Sequence, residues 1–156
     1  PLRPVIGGIV IVVAVVVFDL RDYQGLSIQL ALDAQSGSAA GQWITKLGLT
    51  AVSIGSGFVG GEVIPLVVVG ALAGASFGRI SGGSVAMFAV IGSVAVLAGA
   101  ANTPVACTIL GVELFGGAGL AFIAVACAAS YATSGHAGIY HSQHVSVHKS
   151  GRISAR

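Results

Sequence analysis

Between two strongly apolar stretches, residues 55–65 read GSGFVGGEVIP, with glycines at 55, 57, 60 and 61 and a single carboxylate at Glu62. Proline is favoured in the first turn of a helix, where its missing N–H costs nothing, so Pro65 is expected to head a helix over the apolar run that follows. The amides of Glu62, Val63 and Ile64 would then lie at or just before that N-terminus. Such ends carry unpaired N–H groups and partial positive charge, which together suit an anion. The glycines allow a sharp turn and a close approach of ligand to backbone. A site of this kind needs no cationic side chain and releases its ion easily. The plain alternative is a Pro-headed break that serves only packing or a kink.

Glu62 sharpens the reading. A carboxylate inside an apolar span costs roughly 2.5–3.5 kcal/mol on insertion scales and marks a functional candidate. It would repel a bound anion, and protonation would relieve that repulsion, so Glu62 is the candidate proton-coupling residue. A helix-start acid that complements the dipole is the alternative. Residues 99–117, GAANTPVACTILGVELFGG, repeat the design: Asn102 or Thr103 as cap, Pro104 at the helix start, and Glu113 in the last turn. Cys107 and Cys127 lack ligand spacing and read as small buried hydrophobes. His141, His144 and His148 step by three and four, which on a helix is one face. With His136 they suit a solvated, proton-accessible surface better than a metal site, since no carboxylate accompanies them.

These residues must be positioned by apolar elements. The chain has 156 residues, 55% hydrophobic and 8% charged, with 24 glycines. Soluble domains usually carry about 25% charged residues, so the composition points to lipid, with small residues letting helices approach closely. Apolar segments run over 5–18, 43–54, 65–77, 85–97, 104–115 and 120–131, with a short amphipathic piece at 26–32. Most are shorter than the roughly 20 residues a perpendicular crossing needs. Short, interrupted segments are what transporters use when helices stop partway across the membrane. The runs lack the strict alternation of a barrel, so the expected fold class is all-α. The stretch from Pro1 is expected to open a membrane helix of a longer protein, not a cleaved leader.

The quoted motifs carry a resemblance. GSGFVGGEVIPLVVVGALAG resembles the loop and helix start in the second half of CLC-type anion channels and proton-coupled antiporters. AVIGSVAVLAGAANTPVACTILGVELFG is similar to the downstream stretch of that family, and SGHAGIYHSQ to the segment with its central tyrosine. The resemblance implies a polytopic membrane protein with short, broken, tilted helices. Residues 1–148 would form the second of two inverted halves, with the N-terminal half missing, and residues 149–156 a tail. It implies transport of chloride or fluoride, with protons as the exchanged partner, by a homodimer of full-length subunits in a bacterial inner membrane. No enzymatic activity, cofactor, metal or nucleic-acid partner is implied. A passive channel and a non-transporting scaffold are the alternatives.

Carried over residue by residue, the anion-coordinating loop falls on Gly61, Glu62, Val63, Ile64 and Pro65, the backbone amides of Glu62 and Val63 take the central-ion role, and Tyr140 takes the role of the hydroxyl that closes the inner side. Read alone, Tyr140 is an interfacial anchor. The common chloride pattern has an aromatic where Val63 stands and no acid where Glu62 stands. The Gly-Glu-Val-x-Pro form resembles the fluoride-exporting bacterial branch, although Ile64 stands where that branch has a threonine.

Lys149, Arg152 and Arg156 follow the last apolar run, and no acid occurs after Glu113. By the positive-inside tendency the C-terminus is expected to be cytoplasmic. A phosphatase reporter fused after Arg156 should be inactive and a cytoplasmic fluorescent reporter at the same place bright; the opposite pattern would invert the topology.

Overall fold

The computed structural model describes residues 2–34, 41–58, 60–135 and 138–140. Val59, the four histidines' C-terminal members His141, His144 and His148, His136 itself and the 149–156 tail lie outside them. Among the described residues there are seven α-helices, two 3-10 turns and no strand, as expected. The helices are α1 (Arg3–Phe18), α2 (Ile28–Asp33), α3 (Gln42–Gly55), α4 (Val63–Ser81), α5 (Val85–Ala101), α6 (Pro104–Phe115) and α7 (Leu120–Thr133).

α4 is the one described helix long and apolar enough to cross a membrane. Its 19 residues span about 28 Å. The apolar segment read at 65–77 is followed by Gly78 and Arg79, which look like a stop, but α4 runs through both. A glycine inside a helix costs only about 1 kcal/mol relative to alanine, and the bare face of Gly78 admits the Phe88 ring and the backbone at Val85. Arg79 stays helical and donates from Nη2 to the Ala34 carbonyl at the end of α2. Gly82, at φ +70°, makes the actual stop, its N–H returning to the Arg79 carbonyl. α5 likewise continues past Leu97 until Asn102 turns left-handed at φ 56°.

α4 and α5 pack most closely, backbone against backbone. A Cβ on Gly70 or Gly92 would overlap the other's carbonyl oxygen, and one on Gly74 would overlap the Phe88 carbonyl. Two apolar clusters flank this seam. One joins Leu30 and Ala34 to Val68, Leu72 and Ala89. The other joins Val94, Leu97 and Ala101 to Cys107, Ile123 and Cys127, with Leu66, Val67 and Ile139 against it. Both cysteines are buried and free, as expected. The outward faces of α1, α6 and α7 are apolar, with Val16, Val105 and Val125 each at least 70% exposed, as a lipid or protein surround requires.

Hydroxyls inside the helices bond backward along their own helix. Ser53 donates to Leu49 O at 2.9 Å, Ser76 to Leu72 O at 2.8 Å, Thr108 to Pro104 O at 2.8 Å and Thr133 to Ala129 O at 2.9 Å.

Because the α4–α5 seam has no room for a methyl group, Gly74→Ala in the full-length protein should lower stability by about 1–3 kcal/mol through overpacking. Gly48→Ala, where a Cβ meets nothing within 4 Å, should not. Detergent-solubilised thermal melts compare the two.

Candidate anion site

The glycine segment begins where α3 ends. Ser56 N–H closes the last α3 turn on the Val52 carbonyl, and Gly57 at φ +86° reverses the chain. The chain then reaches α4, which starts two residues earlier than Pro65. Glu62 is the N-cap residue, Val63 the first helical residue, and Pro65 the third. None of the first-turn N–H groups has an intrahelical partner, so proline fits anywhere in that turn and its place does not mark the helix start. The first helical bond is Leu66 N–H to Glu62 O at 3.2 Å. The amides of Val63 and Ile64 therefore precede the helix ladder.

Two cavities meet this helix end. The first, about 370 Å³, is walled by Gly60, Gly61, Glu62 and Pro65 together with residues of α1, the segment after it and α3. The second, about 520 Å³, is walled by Val63, the end of α5, the length of α6 including Glu113, and Tyr140. Glu62 is half-buried and makes no capping bond with its side chain, so it is not held as a helix cap. Gly61 is exposed, and a Cβ there would meet nothing; its bareness opens space at the cavity wall. Ile64 lines neither cavity.

Tyr140 is distant in sequence yet shares the second cavity with Val63. A backbone bond from Ile139 N–H to Ala100 O, 3.0 Å, ties this segment to the last turn of α5, and the Ile139 side chain packs on the cluster that also holds Leu66 and Val67. Tyr140 itself is 46% exposed. At the second proline break Thr103, not Asn102, is the N-cap residue of α6, and Pro104 opens the helix as expected. Thr103 makes no capping bond; its hydroxyl lies 3.5 Å from Cys107 Sγ.

Sequence reading passed over Lys46. It lies in α3, is 3% exposed, and lines the first cavity together with Glu62. Its ammonium donates to Tyr23 O at 3.0 Å, Gly25 O at 2.9 Å and Ser27 Oγ at 2.9 Å. The signal was present: a lone cation inside the apolar run at 43–54 is the kind of intramembrane charge that marks function.

The chain is similar to proteins of known kind. Residues 1–135 match the family described as voltage gated chloride channel. Over 152 residues it is 45% identical to a chloride/fluoride channel protein of Pseudomonas syringae pv. tomato, covering 93% of this chain and 34% of that protein. Over 120 residues it is 29% identical to the uncharacterized protein MJ0305 of Methanocaldococcus jannaschii, covering 74% of this chain and 30% of that one. Its fold superposes on the crystal structure of a CLC-type fluoride/proton antiporter with a TM-score of 0.79 and 31% identity, over 83% of this chain and 33% of the other. The chain thus spans about a third of the length of the relatives it matches. With the all-helical architecture and the paired cavities at one helix end, this match over most of the chain places it in the CLC family of integral membrane anion channels and transporters: the chain belongs to the voltage-gated chloride channel family.

Proposed function

We propose that this chain is the second half of a subunit that carries chloride or fluoride across a membrane in exchange for protons. The observation that carries the reading is the start of α4, which borders one cavity through Glu62 and the other through Val63. An anion passing between the two would meet the Glu62 and Val63 amides, where unpaired N–H groups and the helix dipole favour negative charge without a side-chain cation. The Tyr140 hydroxyl would close the inner side as a further donor. Glu62 borders the same helix end, so an ionised carboxylate and a bound anion compete for it. Protonation of Glu62 removes that competition and links proton uptake to anion entry. The N-terminal half supplies the rest of the path. The working protein is a homodimer of full-length subunits in a bacterial inner membrane, C-terminus in the cytoplasm.

A passive channel of the same fold is the second reading, favoured by the channel name of the relative that is 45% identical. The two separate in proteoliposomes holding the full-length protein. An antiporter drives protons uphill when an anion gradient is imposed, and a channel does not. In an antiporter, Glu62→Gln should leave anion flux in place and abolish uphill proton movement. Unchanged coupling in that variant would move proton handling to the N-terminal half. Tyr140→Phe should weaken anion binding by roughly tenfold or more, the scale of one hydrogen bond to a charged group. Calorimetric titration with chloride and fluoride reads it.

A further inference from the structure

Lys46 has exactly as many acceptors as it has N–H groups. Two are backbone carbonyls and one a hydroxyl, and all three are neutral. Lys46 takes no part in the Arg21–Asp19 ion pair, which lies on the exposed surface. The ammonium is therefore satisfied in hydrogen bonding but not neutralised in charge. A buried unpaired charge is costly, and an apolar side chain of similar length would pack the same place at less cost. Its retention asks for a use.

The segment that holds it is built around it. Gly25 at φ +59° and Ser27 at φ +53° take left-handed backbone conformations, which non-glycine residues adopt only at a cost. These turns aim the carbonyls of Tyr23 and Gly25 at the ammonium. Ser27 donates its own hydroxyl proton to Gln24 O at 3.0 Å, which leaves its lone pairs for Lys46. The same segment, through Tyr23, Gln24 and Gly25, lines the first cavity together with Gly61 and Glu62.

We propose that Lys46 is a positioning residue for the transported anion: it clamps residues 23–27 as the fixed wall of the first cavity, and its uncompensated charge gathers a small anion there before transfer to the start of α4. This rests on the anion-transport reading. Lys46 does not hand over a proton or touch the reaction of Glu62. It sets the shape and the potential of the space in which the anion waits.

The test uses the full-length protein with Lys46→Met, Lys46→Arg and Ser27→Ala. In proteoliposomes with varied chloride or fluoride, Lys46→Met should raise the apparent KM about tenfold, the scale of a unit charge acting across about 10 Å at an effective dielectric constant of about 20. Its maximal rate and anion-to-proton ratio should stay near wild type. Lys46→Arg, which keeps the charge, should recover most of the KM. A merely structural lysine would instead lower the maximal rate in both variants at constant KM, and that result overturns the charge role. Independently, a nitroxide on Gln24→Cys should be immobile in wild type and mobile in Lys46→Met; an equally immobile label overturns the clamp. If Lys46→Met fails to assemble, Ser27→Ala replaces it for the clamp and Lys46→Arg for the charge. Ser27→Ala should then loosen the label, and Lys46→Arg should hold KM near wild type; a rigid label or a tenfold higher KM overturns the corresponding role. If wild type moves no anion, the transport reading fails and takes the charge role with it, while the label still decides the clamp.

Discussion

The contact between α4 and α5 governs this fold. Gly70, Gly74 and Gly92 bring two backbones together with no side chain between them. In apolar surroundings, where burial of hydrocarbon supplies little drive between helices, such close packing is what holds helices in register. With α4 pinned along this seam, its N-terminus has one place to be. That place is the border of both cavities, and the first-turn amides follow it. The glycines that seem to loosen the sequence thus fix the position of the helix end that borders both cavities.

A second constraint is the scarcity of charge. Few ionisable groups occur in the apolar elements, and the fold gathers three of them around α4. Glu62 stands at its start, Lys46 in the wall of the first cavity, and Glu113 in that of the second. Each lies where a hydrocarbon residue would have been cheaper for folding alone. Arg79 has a more structural use, reaching from the far part of α4 to the end of α2.

Much of this was legible before any coordinates, and the failures are physical. The limits of α6 coincide with Pro104 and Phe115 because a proline start and the glycines at 116 and 117 are unambiguous punctuation. Pro65 misled by two residues because every position of a helix's first turn tolerates proline. Gly78 looked like a stop but was an interhelical contact; nothing local in sequence separates those two uses of glycine, since the difference lies in whether Phe88 arrives opposite. Tyr140 could be paired with the 61–65 segment only through a family resemblance, because the Ile139–Ala100 bond that brings it back is long-range. Lys46 was readable as a charge in an apolar run, but the segment wrapped around it was not, since its acceptors are backbone carbonyls that leave no trace in residue type.

The hydroxyl-bearing residues inside the helices have an electrical consequence. Ser53, Ser76, Thr108 and Thr133 each return their proton to a carbonyl one turn back, so their dipoles close on themselves. Counted by composition they make the helices look more polar than they behave. The helices that wall the cavities would therefore answer weakly to the field of an ion entering there. The Lys46 ammonium, the Glu62 carboxylate and the first amides of α4 would consequently act over longer range than their number suggests, as a sparse set of fixed electrodes in an insulating wall.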